Sequence, residues 1–148
     1  MSEIARGEVL LRATDVKKHF PVRGGLLHRR GERPVVHAVD GVSLEVRRGE
    51  TLGVVGESGC GKSTLGRCLV RLTDLTSGQV EFAGQDITTL SRRRLRPVRR
   101  DVQLVFQDPY ASLNPRRRVG DVVAEPLQIH GFGSPAQVTK RVAELFDV

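Results

Sequence analysis

A chain of 148 residues with 39% hydrophobic content has room for one domain with a core, and its composition is not that of a disordered segment. No apolar run approaches the roughly 20 residues of a membrane-spanning helix, and the acidic start Met1-Ser2-Glu3 leads into no signal-peptide core, so a cytoplasmic protein is expected. The formal charge of +7 is concentrated in Arg92–Arg100 and Arg116–Arg118 without interleaved aromatics, which predicts a solvated basic face, with anionic lipid or an acidic partner as the alternative, and no nucleic-acid partner.

In chain order, Val9–Val16 reads as a first strand, and residues 23–34, rich in glycine and arginine, as a surface loop. Val42–Val46 alternates apolar and polar residues as a half-buried strand does. Arg47–Glu50 turns into the apolar run Thr51–Val55, predicted to be a strand that leads directly into a glycine-rich turn. That turn, Gly56-Glu57-Ser58-Gly59-Cys60-Gly61-Lys62-Ser63, is a complete phosphate-binding loop, continued by Thr64. Glycines let backbone N–H groups turn toward phosphate oxygens, Lys62 supplies a positive charge to the β and γ phosphates, and Ser63 offers a hydroxyl to Mg²⁺. Leu65, Cys68, Leu69 and Leu72 then recur at helical spacing, so the loop opens a helix whose N-terminus faces the phosphates.

Further on, Thr76–Gly78 is a turn, Gln79–Phe82 a short strand, and Ala83–Asp86 another turn. Val102–Phe106 is predicted as a second core strand, ended by Gln107-Asp108-Pro109. Val119–His130 has helical spacing that Pro126 should interrupt or kink, and Pro135–Phe146 reads as a helix with Val138, Val142, Leu145 and Phe146 on one face. Cys60 and Cys68 have no metal-like spacing and are expected to stay reduced. Histidines 19, 28, 37 and 130 likewise suggest neither a triad nor a metal site from their spacing.

Together these segments resemble the N-terminal half of an ABC-transporter ATPase, of the oligopeptide and dipeptide importer type. The resemblance rests on His19–Val22, Val39–Leu44, Gly56–Thr64 and the specific block Val105-Phe106-Gln107-Asp108-Pro109-Tyr110-Ala111-Ser112-Leu113-Asn114-Pro115-Arg116. It implies an α/β fold, a partial P-loop NTPase of the ABC-ATPase type, with an N-terminal antiparallel β subdomain and the start of a helical subdomain from about residue 109 to 148. By the same resemblance ATP and Mg²⁺ are the cofactors, Phe20 stacks on adenine, Val39 lines the base and ribose, and Gln107 is the Q-loop glutamine that reaches Mg²⁺ and the attacking water. Gln107 is neutral, so it orients rather than deprotonates.

Asp108 is not read as the acidic end of a Walker B strand, because Gln107 precedes it and Pro109 comes directly after. The implied partners are transmembrane permease subunits and a second ATP-binding subunit, identical or different, on the cytoplasmic face of the membrane. The family hydrolyses ATP, yet these 148 residues contain no Leu-Ser-Gly-Gly-Gln type signature, no acidic Walker B pair and no switch histidine. The expectation is therefore ATP binding without hydrolysis by these residues alone, and an unpaired Thr51–Val55 and Val102–Phe106 that would favour aggregation. A non-transport P-loop protein such as a small kinase, and a basic nucleic-acid-binding module, stay open as alternatives.

Overall fold

The computed structural model describes residues 7–22, 34–108 and 113–147. Most of the expected 23–34 loop and residues 109–112 of the Val105–Arg116 block lie outside them. The chain divides into two compact units, Met1–Leu104 and Val105–Val148.

The first unit is built on a four-stranded antiparallel sheet in the order β2-β1-β3-β4, with β1 at Val9–Pro21, β2 at Val35–Arg47, β3 at Ser77–Phe82 and β4 at Gln85–Asp86. Both long strands extend beyond the sequence expectation. His19, Phe20 and Pro21 lie opposite His37, Val36 and Val35, so the largely exposed ends of β1 and β2 are held by each other's ladder rather than by a buried face. The β3–β4 connection is Ala83-Gly84, both at positive φ, as a two-residue hairpin with the right twist requires.

Two helices cover this sheet. Helix α1 (Lys62–Leu69) buries Leu65 and Cys68, three residues apart on one face; α2 (Arg92–Val98) buries Leu95 and Val98 in the same way. These side chains meet Ala13, Val16, Val39, Val80 and Ile87 in one core. Helix α2 was not legible in the arginine run, because only two apolar residues carry its period. Its start is marked by Ser91, whose Oγ accepts from the Arg94 N–H at 3.4 Å, while Arg92, Arg93, Arg94, Arg99 and Arg100 are exposed. Arg71 is the buried charge among the described residues of the unit: its guanidinium donates to the Ile87 carbonyl at 3.0 Å and to Asp74 Oδ1 at 3.0 Å.

The two strands expected at Thr51–Val55 and Val102–Phe106 do not form. A strand needs a ladder, and neither segment finds one among the described residues. Residues 51–55 are all exposed, Val55 at 93%. Residues 102–105 still alternate, with Val102 and Leu104 turned inward and Gln103 and Val105 outward.

In the second unit, α3 (Val119–Ile129) and α4 (Pro135–Phe146) pack together, with Gly120 against Val142 and Val138 buried. Helix α4 begins with a reciprocal cap: the Gln137 N–H donates to Ser134 Oγ, the Ser134 N–H donates to Gln137 Oε1, and Pro135 takes the first position. Pro126 does not interrupt α3, which runs continuously through it at the cost of one backbone bond.

Candidate functional site

Gly61 is the residue that joins the phosphate loop to α1, and its φ of +95° is left-handed backbone that side chains rarely adopt. A Cβ there would collide with the Ala38 carbonyl of β2 and lie 3.8 Å from Val39 Cγ2. The loop therefore sits directly against β2, and only glycine permits that approach. Val39 is buried in the core at 5% exposure, so it supports the loop from the sheet side. At Gly56 a Cβ would lie 2.7 Å from Cys60 Sγ, which keeps the turn tight.

Within the loop Lys62 Nζ donates to the Gly56 carbonyl at 2.7 Å and the Glu57 carbonyl at 2.6 Å, with Cys60 Sγ at 3.5 Å. Its ammonium is thus held at the centre of the turn by the loop's own oxygens. Helix α1 has no side-chain cap and no acidic residue in its first turn, so its first N–H groups retain their positive end uncompensated by the chain. Ser63 is exposed and Thr64 half-buried at that same end. Glu57, Ser58, Gly59 and Cys60 are all exposed along the loop. This donor set fits a triphosphate and its Mg²⁺: an ammonium, helix N–H groups without a side-chain cap, and a hydroxyl, on a turn that glycine holds against β2.

Phe20 is the next-to-last residue of β1, 41% exposed and opposite Val36, and so is not a core residue. Lys18 Nζ lies 4.9 Å from its ring centroid, a cation over one face. Gln107 is exposed and belongs to the second unit, whereas the phosphate loop belongs to the first. Both cysteines are free; Cys68 is buried, and burial pushes its thiol pKa up, so it is a packing residue rather than a nucleophile.

The sequence reading missed one cluster. His19 and His37, opposite each other in the β1–β2 ladder, have ring centroids 3.9 Å apart with the planes tilted by 36°, and both reach Asp40. His19 Nε2 is 3.3 Å from Asp40 Oδ1, and His37 Nδ1 is 3.4 Å from Asp40 Oδ2. Hydrogen bonds from His19 and then His37 hold the Asp40 carboxyl below the usual carboxylate pKa. The separation of His19 and His37 along the chain hid the pair; only the antiparallel register, which the sequence does not print, brings them together.

A protein-family model described as ABC transporter matches residues 39–147. The chain is 50% identical over 143 residues to the oligopeptide transport ATP-binding protein AppF of Bacillus subtilis (strain 168), covering 95% of this chain and 43% of that protein. It is 48% identical over 144 residues to the glutathione import ATP-binding protein GsiA of Escherichia coli (strain K12), covering 97% of this chain and 23% of that one. It spans less than half the length of both relatives. Among solved structures it resembles the dimeric, post-hydrolysis ATP-binding cassette MJ0796 bound to ADP and Pi, with a TM-score of 0.71 and 26% identity over 91% of this chain and 55% of that chain.

Proposed function

The chain belongs to the ABC transporter family, and from that membership we propose that it is the nucleotide-holding part of an importer ATPase that energises uptake of small peptides or a related solute. The observation that carries the reading is the phosphate loop: Lys62 Nζ sits at the centre of the turn and the first N–H groups of α1 have no side-chain cap. The solute class rests on the Val105–Arg116 block and on the two relatives, one named for oligopeptide transport and the other for glutathione import.

In this reading Lys62 neutralises the β and γ phosphates, Ser63 supplies a ligand to Mg²⁺, and Phe20 offers the ring face away from Lys18 to adenine. Gln107 orients the attacking water. Permease subunits and a second cassette complete the assembly on the cytoplasmic face of the membrane. The 148 residues alone bind ATP without turning it over, because no acidic pair ends an apolar strand in them and phosphoryl transfer depends on such groups being positioned.

Titration with fluorescent ATP tests the reading. Lys62→Ala removes charge-assisted bonds of roughly 1.5–3 kcal/mol and should weaken binding at least about tenfold. Unchanged affinity in the folded variant would remove the phosphate-cradle assignment. Phe20→Ala should weaken ATP more than tripolyphosphate; equal losses would show that Phe20 serves only the sheet.

A further inference from the structure

We propose that His19, His37 and Asp40 form a binding site for a divalent transition-metal ion of the zinc class, built on the β2 bulge against which the phosphate loop rests. Its three ligands are not among the residues assigned to the nucleotide, and metal binding there does not require ATP to be bound.

Backbone irregularity creates the site. In a regular strand His37 and Asp40, three residues apart, would point to opposite faces. Here Lys18 lies opposite Val39 while its neighbour His19 lies opposite His37, so β2 carries Ala38 as an extra residue. One extra residue reverses the alternation, and His37 and Asp40 come to share a face with His19. A bulge that re-aims side chains in this way serves a purpose that a plain ladder would not.

The donors have the chemistry and the spacing. Two imidazoles and one carboxylate suit zinc and its neighbours, and three protein ligands leave a fourth position for water or another ligand. Zinc holds nitrogen and oxygen at about 2.0–2.2 Å, which places tetrahedral donors roughly 3.3 Å apart. The His19–Asp40 and His37–Asp40 separations of 3.3 and 3.4 Å, each to a different carboxylate oxygen, are close to that figure, and one ligand atom from each of the three lies within 4.8 Å of the others. Asp40 already turns a different oxygen to each ring. Ligation through one of these oxygens would replace the hydrogen bond on it, and a turn of the carboxylate would bring the other imidazole to the same ion.

Access and anchoring are both provided. The His37 and Asp40 side chains are each 55% exposed, so an ion can reach them, while the His19 side chain is 21% exposed and fixed on β1. The ion would tie β1 to β2 across the ladder. It would also hold the backbone on both sides of Ala38, whose carbonyl meets Gly61.

The experiment is calorimetric titration of ZnCl₂ into the 148-residue chain stripped with EDTA, in a Cys60→Ser background that removes the exposed thiol. Cobalt substitution provides a visible spectrum. One ion per chain is expected, with cobalt bands of low-coordinate nitrogen and oxygen ligation. Since changes in the groups behind metal ligands alone cost about 10–100-fold in metal affinity, loss of a ligand in His37→Ala should weaken zinc by at least about tenfold. Asp40→Asn, of equal size, should do the same if His37→Ala fails to fold. Absence of zinc uptake by the folded chain, or uptake of unchanged stoichiometry and affinity in both folded variants, would overturn the proposal.

Discussion

The β1–β2–β3 sheet and the segments Thr51–Val55 and Val102–Phe106 are both apolar and β-prone, yet only the first forms strands. The sheet is closed by partners that lie in the same stretch of chain: β2 and β3 flank β1, and its inward residues Ala13, Val16, Val39 and Val80 find α1 and α2 above them. The other two segments have equally good side chains and no ladder among the described residues, and they present Val55 and Val105 at 93% and 91% exposure. Apolar sequence supplies the tendency to be a strand; a neighbouring strand makes it one.

The sharpest test of this contrast is a pair of truncations. Ile87 is 1% exposed in the sheet core, and Ile87→Ala should cost about 2–5 kcal/mol, read as a lowered urea midpoint. Val55→Ala removes a side chain already in water and should shift stability by no more than about 0.5 kcal/mol. Similar losses at both positions would mean that Thr51–Val55 is packed in solution, and the contrast would fall.

Arg71 probes the same core from its polar side. Arg71→Met keeps much of the length of the side chain but leaves the Ile87 carbonyl without its guanidinium donor, for an expected cost of about 1–3 kcal/mol. Asp74→Ala removes only the exposed half of the pair and should cost less than Arg71→Met, because the carbonyl bond stays. The reverse order would place the weight on the ion pair instead.

The exposed segments make a prediction of their own. Exposed, β-prone apolar segments are sites of intermolecular pairing, so Val55→Thr together with Val105→Thr should lower self-association of the chain in sedimentation velocity while leaving its stability to urea within about 0.5 kcal/mol. Undiminished association in the double variant would locate the sticky surface elsewhere.

Much of this molecule could be read before its structure. Short-range signals carried the phosphate loop, α1, the β3–β4 turn and the helix beginning at Pro135, because each is set by residues within a few positions of one another. The reading went wrong where the deciding fact was distant. Thr51–Val55 and Val102–Phe106 have the composition of strands, but pairing is a property of two segments. Helix α2 was hidden by arginines that face water and contribute nothing to an apolar period. The His19–His37–Asp40 cluster was invisible because a bulge at Ala38 sets its geometry, and bulges leave no mark in a list of spacings.

The smallest expected effect belongs to Asp40, and it separates the irregular end of the sheet from its core. Hydrogen bonds from His19 and His37 lower the folded-state pKa of this carboxyl below its unfolded value of 3.8. A depressed carboxylate pKa means that the unfolded chain binds the proton more tightly, so Asp40 contributes stability above pH 3.8 and loses it as pH falls through the lower, folded pKa. In EDTA, urea midpoints of the parent chain should therefore fall between about pH 5 and pH 3 slightly more steeply than those of Asp40→Asn, whose amide does not titrate. Because the carboxylate is open to solvent, the difference between the two slopes is small compared with the Ile87 effect. Parallel slopes would mean that the imidazoles do not hold the carboxylate in solution, and that the bulged end of β2 is looser than the core it adjoins.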